Sequence, residues 1–391
     1  MKIVAIEDLH CDAGWRVWSF LKVVTDQGLV GWSEYNESYG SKGLTAVIRK
    51  LADPLIGQDP RPVERIASQL SAMTRQAPGG LIAQAIAAIE NALVDVKAKA
   101  LGVPVAALLN GPVRDRLRLY WSHCGSYRLT QSPVMGLPPV RSLADVAALG
   151  RDVKAKGFTA LKTNIFMFDR GQPYMHMPGF ARVGGWPELN VDNRVLGAIE
   201  AQLGAFRDAV GRDVDIQLDL NFNFKTEGYL QVGRVVEPFR LLWLEIDSFD
   251  PAALALIRRS VRVPIASCES LFGRRQFRPF LDAQAMDVAI VDVPWNGILE
   301  SMKIAAMCEA YEVNVAPHNF YGHLSTMMSA HFCAAVPNFR IMEIDIDDVP
   351  WKDEVVSHPP TIEQGHLVMP DRPGWGVEID EKAVRAHPPK G

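Results

Sequence analysis

The sequence predicts an α/β protein in which a small α+β domain precedes a closed β/α barrel. Strand-like and helical segments are kept apart in the first hundred residues, whereas they alternate from there on. Eight β-like runs with seven helical stretches between them favour a closed barrel over an open sheet. Polar or ionisable residues follow every run from the second to the eighth, at the end where barrels carry their active sites.

The first domain is expected to span residues 1–115. Its β-rich segments and the turn signal at 26–28 predict a hairpin or a three-stranded meander, with runs at Lys2–Leu9, Trp18–Thr25 and Leu29–Glu34. Apolar residues then recur every three or four positions, which predicts helices over Gly43–Leu55, Val63–Met73 and Leu81–Leu101. The last of these is Ala-rich and ends at Gly102.

The barrel is expected to span residues 116–359. Its predicted strands are Leu117–Trp121, Ala160–Asn164, Val214–Leu220, Leu241–Ile246, Val263–Ser267, Val288–Val291, Val313–Pro317 and Phe339–Glu343. Its predicted helices are Leu143–Lys156, Val195–Val210, Gly228–Glu237, Pro251–Ser260, Arg274–Ala283, Ile298–Tyr311 and Ser325–Ala335. The Gly-, Pro- and Met-containing connection over 166–192 is long enough to predict a lid or a disordered insert. The tail at 360–391 is expected to pack back on the first domain.

Composition excludes several classes of protein. The 391 residues are 48% apolar and 22% charged, which is typical of a globular chain and not of a disordered one. A net charge of −4 without a basic block argues against nucleic-acid binding. No apolar run is long enough for a membrane helix, and the first residues read as a strand rather than a signal peptide. Five scattered cysteines predict a reducing compartment, so we expect a cytoplasmic enzyme.

Three carboxylates follow consecutive predicted strands, namely Asp219, Glu245 and Glu269. In a barrel these positions meet at one rim, where three like charges repel unless a cation holds them. All-oxygen ligation suits Mg²⁺, Mn²⁺ or Ca²⁺ rather than zinc. Each acid alone has a structural alternative as a helix N-cap or a solvated loop residue. Their joint placement favours a metal site.

A histidine and a lysine complete the predicted rim. His318 ends the seventh strand, and Asp292 ends the sixth, within reach of one ring nitrogen. A carboxylate there fixes the tautomer and raises the basicity of the imidazole. Lys162 lies in the second strand, and a nearby divalent cation would lower its pKa toward the range of a general base. The alternatives are a structural histidine and an exposed lysine.

These residues together resemble the enolase superfamily, and within it the mandelate racemase subgroup. The resemblance covers nearly the whole chain. It lies in the Asp–Glu–Glu metal triad at Asp219, Glu245 and Glu269, the D-x-N at Asp219-Leu220-Asn221, the dyad of Asp292 and His318, and the strand-eight acid Glu343. It implies a modified TIM barrel of the (β/α)7β kind under an α+β capping domain, with Mg²⁺ as cofactor and Mn²⁺ as the alternative.

The sequence departs from the family pattern in three places. Strand two reads Lys162-Thr163-Asn164 where the racemase has K-x-K, so an amide replaces the second base. Strand four reads Glu245-Ile246-Asp247 where the family usually has E-E-P. After strand six, Asn296-Gly297 stands alone where the family usually has paired glycines. A racemase with bases on both faces is therefore not expected.

The resemblance implies abstraction of the proton α to a carboxylate, giving a metal-stabilised enediolate. Loss of the 3-hydroxyl would then convert an aldonate or aldarate into a 2-keto-3-deoxy acid, the reaction of an acid sugar dehydratase. His318 would be the base, the acid or both; Lys162 and Glu343 would bind the carboxylate, with Asn221 near the substrate hydroxyls. Two alternatives stay open: an epimerase, racemase or cycloisomerase on a related acid, and a metal- and sugar-acid-binding barrel without turnover.

Substrate contacts are also expected from the capping loops and the long connection. The candidates are Trp15, Arg16, His123, Arg170, Tyr174 and His176, with Tyr39–Gly43 closing over the site. The three methionines of the long connection suit a lid that orders on binding. The expected partners are a small carboxylate substrate and further copies of the chain, from a dimer to an octamer by analogy, and neither nucleic acid nor membrane.

Overall fold

The computed structural model describes residues 1–180 and 188–390. Residues 181–187 of the long connection and the last residue of the tail lie outside the described part. No helix in the described ranges is both long and apolar enough to cross a membrane.

The N-terminal domain consists of one antiparallel sheet and a set of helices packed on it. Its elements are β1 (Ile3–Asp12), β2 (Val17–Thr25), β3 (Val30–Tyr35), α1 (Leu44–Ala52), α2 (Val63–Met73), α3 (Gly80–Leu101) and α4 (Val105–Leu108). The strands pair in sequence order, as the predicted meander requires. Gly31 allows β3 to lie directly on α3, because a Cβ there would meet the carbonyl oxygen of Ala92 at 2.2 Å.

Eight parallel strands form the barrel, and a small hairpin interrupts their order. The strands are β4 (Arg116–Ser122), β5 (Ala160–Thr163), the hairpin strands β6 (Phe166–Met167) and β7 (Tyr174–Met175), then β8 (Asp215–Asp219), β9 (Trp243–Glu245), β10 (Ile265–Ser267), β11 (Val288–Asp292), β12 (Asn314–His318) and β13 (Met342–Asp345). Neighbouring strands pair in parallel from β4 through β12, and β13 pairs with β4. The chain before β13 bonds to Val315 of β12, which closes the barrel.

Helices cover the outside of the barrel. They are α5 (Ser132–Met135), α6 (Leu143–Ala155), α7 (Asn193–Val210), α8 (Thr226–Val236), α9 (Pro251–Ser260), α10 (Gly273–Asp282), α11 (Val293–Asn296), α12 (Ile298–Ala310) and α13 (His323–Ala335). Inside, apolar side chains such as Tyr120, Trp243 and Ile290 fill the barrel. The polar strand ends therefore sit on a packed interior, and the rim is the part open to a ligand.

The tail contacts both parts of the molecule. Its elements are β14 (Ile362–Glu363), β15 (His366–Val368) and α14 (Glu381–Ala386). Strand β15 pairs antiparallel with β4 of the barrel. On the other side, Lys22 pairs with Glu381, and Trp375 donates from its indole to Trp32 O at 2.8 Å. The proposed limits of the domains, 1–115 and 116–359, stay a prediction.

The predicted fold class is confirmed, and the differences concern element ends. The eighth strand begins at Met342 rather than Phe339, because the backbone at 338–340 is bonded to Val315 across the seam. Part of the long connection is ordered into the hairpin β6–β7, in which Phe166 pairs with Met175. The alternative of a disordered insert is therefore wrong for this stretch, whereas the lid stays a prediction.

Candidate active site

The three predicted metal ligands lie at the carboxyl ends of β8, β9 and β10. Asp219 and Glu245 are register partners at the same height, and Glu269 follows β10 by two residues. The chain leaves β8 and β10 through residues with left-handed backbone, Asn221 at φ 45° and Cys268 at φ 88°. Non-glycine residues rarely adopt this conformation, and it is concentrated at functional sites. Here it turns the strand ends sharply at the rim.

Lys162, on β5 beside β8, is buried among carboxylates of the rim. Its Nζ lies 2.8 Å from Glu343 Oε1, 2.9 Å from Glu245 Oε1 and 3.7 Å from Asp219 Oδ2. Burial lowers the pKa of Lys162, but Glu245 and Glu343 outweigh it and raise that pKa well above its usual value. The lowered pKa expected beside a divalent cation is not found among the carboxylates alone, since their negative charge favours the ammonium ion.

Glu343 is fixed by groups from both neighbouring strands. Besides Lys162, it accepts from the Ser122 hydroxyl at 2.5 Å and from the Asn319 backbone N–H at 2.6 Å. Burial raises the pKa of Glu343, and the cations Lys162 and His318 reverse this and hold it below its usual range. Glu343 is therefore an ionised carboxylate with a fixed orientation at the floor of the rim.

His318 and Asp292 form the expected dyad. Their strands pair so that the two residues are at the same height, and His318 Nδ1 lies 2.6 Å from Asp292 Oδ2. Asp292 Oδ2 also accepts from the Tyr321 hydroxyl at 2.5 Å. Asp292 Oδ1 accepts from the Trp295 backbone N–H at 2.7 Å. Because Asp292 occupies Nδ1, the nitrogen that faces the site is Nε2.

The Nε2 atom of His318 lies 3.5 Å from Glu269 Oε1. Burial lowers the pKa of His318, but Glu269 and Asp292 outweigh it and raise that pKa to about 10. Burial also raises the pKa of Glu269 well above its usual value. The two groups are therefore electrostatically linked, and removing the negative charge of Glu269 would favour the neutral imidazole.

The rim carries more carboxylate than cationic charge. Burial raises the pKa of Asp219, Glu245, Glu269, Asp292 and Asp247. Lys162 and His318 are the cations that face them. Buried negative charge without a partner is costly, and carboxylate oxygens are the ligands that Mg²⁺ prefers. The donor set therefore fits the divalent cation expected from the sequence.

Asp219, Glu245 and Glu269 are the residues that would hold this ion. Within residues 1–180 and 188–390, no group of three Asp, Glu, His or Cys side chains is arranged to hold a metal as it stands. The reason is visible in the contacts, since Glu245 and Asp219 are turned to Lys162 and Glu269 to His318.

Asn164 stands where the racemase has the second lysine of K-x-K. It is buried, lines the cavity, and accepts from the Ser126 hydroxyl at 2.7 Å. Its amide nitrogen lies 3.5 Å from Asn221 Oδ1. An amide neither takes nor gives a proton near neutral pH. The end of β5, the second barrel strand, therefore offers hydrogen bonds but no base at Asn164.

The changed strand-four motif alters the surroundings of Glu245. Where the family usually has a second glutamate, Ile246 points into the apolar core. Asp247 is buried instead and accepts from the Ser270 hydroxyl at 3.3 Å. Burial raises the pKa of Asp247 to about 7. Glu245 itself receives the indole N–H of Trp243 at 3.0 Å.

A cavity of about 510 Å³ lies above the rim, between barrel and capping domain. The expected capping segment supplies Gly40 and Ser41 to its wall. Gln84, near the start of α3, also lines it and accepts from the Ser41 hydroxyl at 2.8 Å. Gln84 was not predicted as a site residue, although a glutamine within an apolar helix turn was a signal for it.

Two capping residues expected to contact substrate have other roles. Arg16 does not line the cavity; its Nη2 atom is buried 2.8 Å from Asp348 Oδ2 and 3.7 Å from Asp345 Oδ2. Trp15 packs on Tyr127 with ring centroids 4.4 Å apart, also outside the lining. Arg16 thus joins the cap to the end of β13, because a buried guanidinium needs a carboxylate partner.

The long connection contributes methionines rather than the expected polar side chains. Met175 and Met177 line the cavity, whereas Arg170, Tyr174 and His176 do not. Arg170 is exposed and lies over the Tyr174 ring. His176 stacks on Phe224 with centroids 5.8 Å apart. In a hairpin, alternate side chains point to opposite faces, so the residues beside the methionines turn away from the cavity.

His123 does line the cavity, as expected. Its Nδ1 atom lies 2.9 Å from Asp345 Oδ1 and 3.1 Å from the Ser122 hydroxyl. Ser122, Asp345 and Tyr321 were not singled out from the sequence. Each is next to a predicted site residue or a strand end, and that proximity was the available signal.

These features describe a capped α/β barrel whose rim combines a carboxylate cluster suited to a divalent cation with an imidazole–carboxylate pair. Family profiles agree with this class: residues 15–110 match the mandelate racemase/muconate lactonizing enzyme N-terminal domain, and residues 145–383 match the enolase C-terminal domain-like family. The chain belongs to the enolase superfamily, in its mandelate racemase subgroup.

Known relatives cover nearly all of the chain. It is 30% identical to the D-xylonate dehydratase of Haloferax volcanii, over 96% of this chain and 86% of that protein. It is 31% identical to the D-galactonate dehydratase of Ralstonia nicotianae, over 94% and 90%. A crystal structure from Burkholderia xenovorans strain LB400, with magnesium and fumarate bound, is 51% identical with a TM-score of 0.97, over 100% and 96%. That protein is provisionally named an L-alanine-DL-glutamate epimerase.

Proposed function

We propose that this protein is a Mg²⁺-dependent acid sugar dehydratase that converts an aldonate or aldarate into a 2-keto-3-deoxy acid. The observation that carries the proposal is the unequal chemistry of the two sides of the rim. His318 with Asp292 offers a proton acceptor on one side, and the amide of Asn164 replaces a second base on strand two. Elimination needs one base at the α-carbon, whereas inversion needs one on each face.

The remaining rim residues fit binding of a carboxylate. Lys162 lines the cavity, and its Nζ atom lies 2.8 Å from the ordered carboxylate of Glu343. The ammonium group attracts the substrate carboxylate, and Glu343 and Asn164 hold the surrounding hydrogen bonds. The Burkholderia protein of similar fold holds a small carboxylate, fumarate, together with magnesium.

In the proposed reaction, the negative charge of Glu269 is offset so that the His318 imidazole is neutral, and its Nε2 atom removes the proton α to the carboxylate. Asp292 keeps Nδ1 protonated and the ring in place. Mg²⁺ held by Asp219, Glu245 and Glu269 would supply positive charge against the negative charge that develops on the substrate carboxylate. The capping domain, Met175 and Met177 line the cavity and would limit the access of water to it.

An epimerase is the second candidate. It is favoured by the name of the Burkholderia protein, which is more similar in sequence than the two dehydratases. We prefer the dehydratase because the D-xylonate and D-galactonate dehydratases are 30% and 31% identical to this chain over most of its length. In addition, Asn164 is not a base.

The test is proton NMR of the purified protein with Mg²⁺ in D₂O, against D-xylonate, D-galactonate and a panel of other aldonates and aldarates. The expected result is a 2-keto-3-deoxy product from at least one acid. Exchange of the α-proton without loss of water would favour the epimerase. Tight binding with neither reaction would identify a barrel without turnover.

Two further expectations belong to the proposal. All five cysteines are free and buried, which supports a reducing compartment such as the cytoplasm. Assembly into a homo-oligomer rests on analogy with the subgroup, and size-exclusion chromatography with light scattering tests it.

A further inference from the structure

The cavity contains a second imidazole–carboxylate pair that the proposed reaction does not yet use. His123 Nδ1 lies 2.9 Å from Asp345 Oδ1, much as His318 Nδ1 lies 2.6 Å from Asp292 Oδ2. Both histidines line the cavity. Phe320 packs against both rings, with centroids 5.1 Å from His318 and 6.1 Å from His123.

The orientation of His123 is determined from several directions. Its backbone is left-handed, with φ 45°, a conformation that costs a non-glycine residue free energy. Its ring stacks on Tyr127 at a centroid distance of 4.7 Å, and Ser122 contacts Nδ1. Asp345, its carboxylate partner, is buried and also lies 3.7 Å from Arg16. Because Nδ1 faces Asp345 and Ser122, Nε2 is the atom placed to meet a substrate.

The two pairs approach the cavity from different strands. His318 ends β12, His123 follows β4, and β13 lies between these strands and supplies Asp345. Loss of water from a hydroxy acid requires both a proton acceptor at the α-carbon and a proton donor at the leaving oxygen. A separate donor removes the need for one imidazole to perform both transfers.

Building on the dehydratase function proposed above, we infer that His123 is the general acid that protonates the departing 3-hydroxyl. The Cα–H bond breaks as His318 Nε2 takes the proton, and its electron pair forms the C2–C3 double bond. The C3–O bond breaks with its pair on oxygen, which takes the proton of His123 Nε2–H and leaves as water. The enol product then becomes the 2-keto acid, and proton exchange with solvent restores both histidines.

The test distinguishes protonation of the leaving group from removal of the α-proton. In His123→Asn, dehydration of the sugar acid should fall by at least about 10²-fold, the usual contribution of a general acid. The 3-deoxy-3-fluoro analogue loses fluoride, which needs no proton, so its elimination should stay within about tenfold of wild type. Exchange of the α-proton in D₂O should also persist, whereas His318→Asn should lose exchange and both eliminations.

His366→Asn is the matched control. His366 lies on β15, which pairs with the opposite end of β4, and it lines no part of the cavity. This variant should dehydrate at the wild-type rate. Asp345→Asn should show the His123→Asn pattern with a smaller loss, since it removes the carboxylate that orients the ring.

Three outcomes would overturn the inference. If wild type forms the keto product and His123→Asn forms it equally fast, the role of His123 is wrong while the dehydratase stands. If His123→Asn also loses fluoride elimination and α-proton exchange, the residue acts in binding or as a base. If wild type eliminates nothing from any acid, the proposed function fails and the leaving-group role with it.

Discussion

Two buried histidines show how differently the barrel rim and the cap–barrel interface use the same side chain. His318 at the rim faces carboxylates, which raise its pKa to about 10 against the lowering effect of burial. His331, on α13, accepts from the Ala106 backbone N–H at 3.0 Å and lies 3.2 Å from Trp375 O. Burial lowers the pKa of His331 to about 4. Burial alone therefore does not distinguish the two histidines; the charge of their partners does.

Buried carboxylic acids at the barrel rim and at the cap–barrel interface also differ in their partners. At the rim, carboxylates outnumber the cations that face them. At the interface, Glu90 accepts from Leu299 N at 2.9 Å near the start of α12, and Glu34 accepts from Gly322 N and Ser325 N near the start of α13. Helix N-termini stabilise carboxylates through their N–H groups and dipole. The interface acids accept from backbone N–H groups across the cap–barrel contact, whereas the rim acids outnumber the cations that face them.

Replacing the rim histidine should give the largest effect. In His318→Asn, exchange of the α-proton and product formation should fall by roughly 10²–10⁴-fold, because the proton acceptor is lost. Proton NMR in D₂O measures both. His331→Asn, the interface counterpart, should keep the wild-type rate per folded molecule at 25 °C. A wild-type rate in His318→Asn would refute the assignment of the base.

Breaking the ion pair between cap and barrel should be the next largest effect. Arg16→Met leaves Asp348 with Lys352 as its cation and should cost about 3 kcal/mol of unfolding free energy. Urea denaturation measures this, and KM of the folded variant should not change, since Arg16 lies outside the cavity lining. The exposed Arg61, paired with Asp59, gives a control in Arg61→Met that should unfold like wild type. An increase in KM without loss of stability would restore Arg16 as a substrate contact.

Neutralising a rim carboxylate should weaken metal binding. Outer partners of metal sites contribute about 10–100-fold in affinity, and a direct ligand contributes at least as much. Glu269→Gln should therefore bind Mn²⁺ at least about tenfold more weakly, as followed by electron paramagnetic resonance titration. Glu90→Gln makes the same chemical change at the interface and should bind Mn²⁺ as wild type does. Equal affinity of the two variants would exclude Glu269 as a ligand.

The effects predicted to be smallest per pH unit are opposite pH dependences of stability at the interface. Burial raises the pKa of Glu90 from 4.5 to about 8, so the folded state binds more protons and stability falls as pH rises between these values. The pKa of His331 falls from 6.5 to about 4, so its contribution is lost as pH falls through that range. Each group changes the unfolding free energy by at most about 1.4 kcal/mol per pH unit.

Denaturation at pH 4 to 9 tests both slopes. Glu90→Gln should flatten the alkaline side, and His331→Gln the acid side. The exposed Glu200 on α7 provides a control in Glu200→Gln, which should change neither side. Unchanged slopes in both interface variants would show that the groups do not titrate with folding.

The rim residues could be predicted from the sequence because, in a barrel, the order of the strands along the chain fixes where their ends lie in space. Asp219, Glu245 and His318 could be predicted because each follows an apolar run, and parallel strands bring such positions to one end. That the second barrel strand carries a lysine at Lys162 and a non-basic amide at Asn164 could be predicted for the same reason. The ion pair of Arg16 could not be predicted, because its partner, Asp348, lies 332 residues away and no local pattern reports that distance.

The sequence by itself determined the fold class, the order of the barrel strands and the identity of the rim acids, because hydrophobic periodicity and residue type are local properties. The tertiary structure decided which polar residues meet. The pairing of β4 with β13 brought Asp345 to His123 across 222 residues, and the seating of α3 on the barrel brought Glu90 to α12. Partners set the charge and the proton affinity of a buried group, so the chemistry of each site appeared only when the chain was folded.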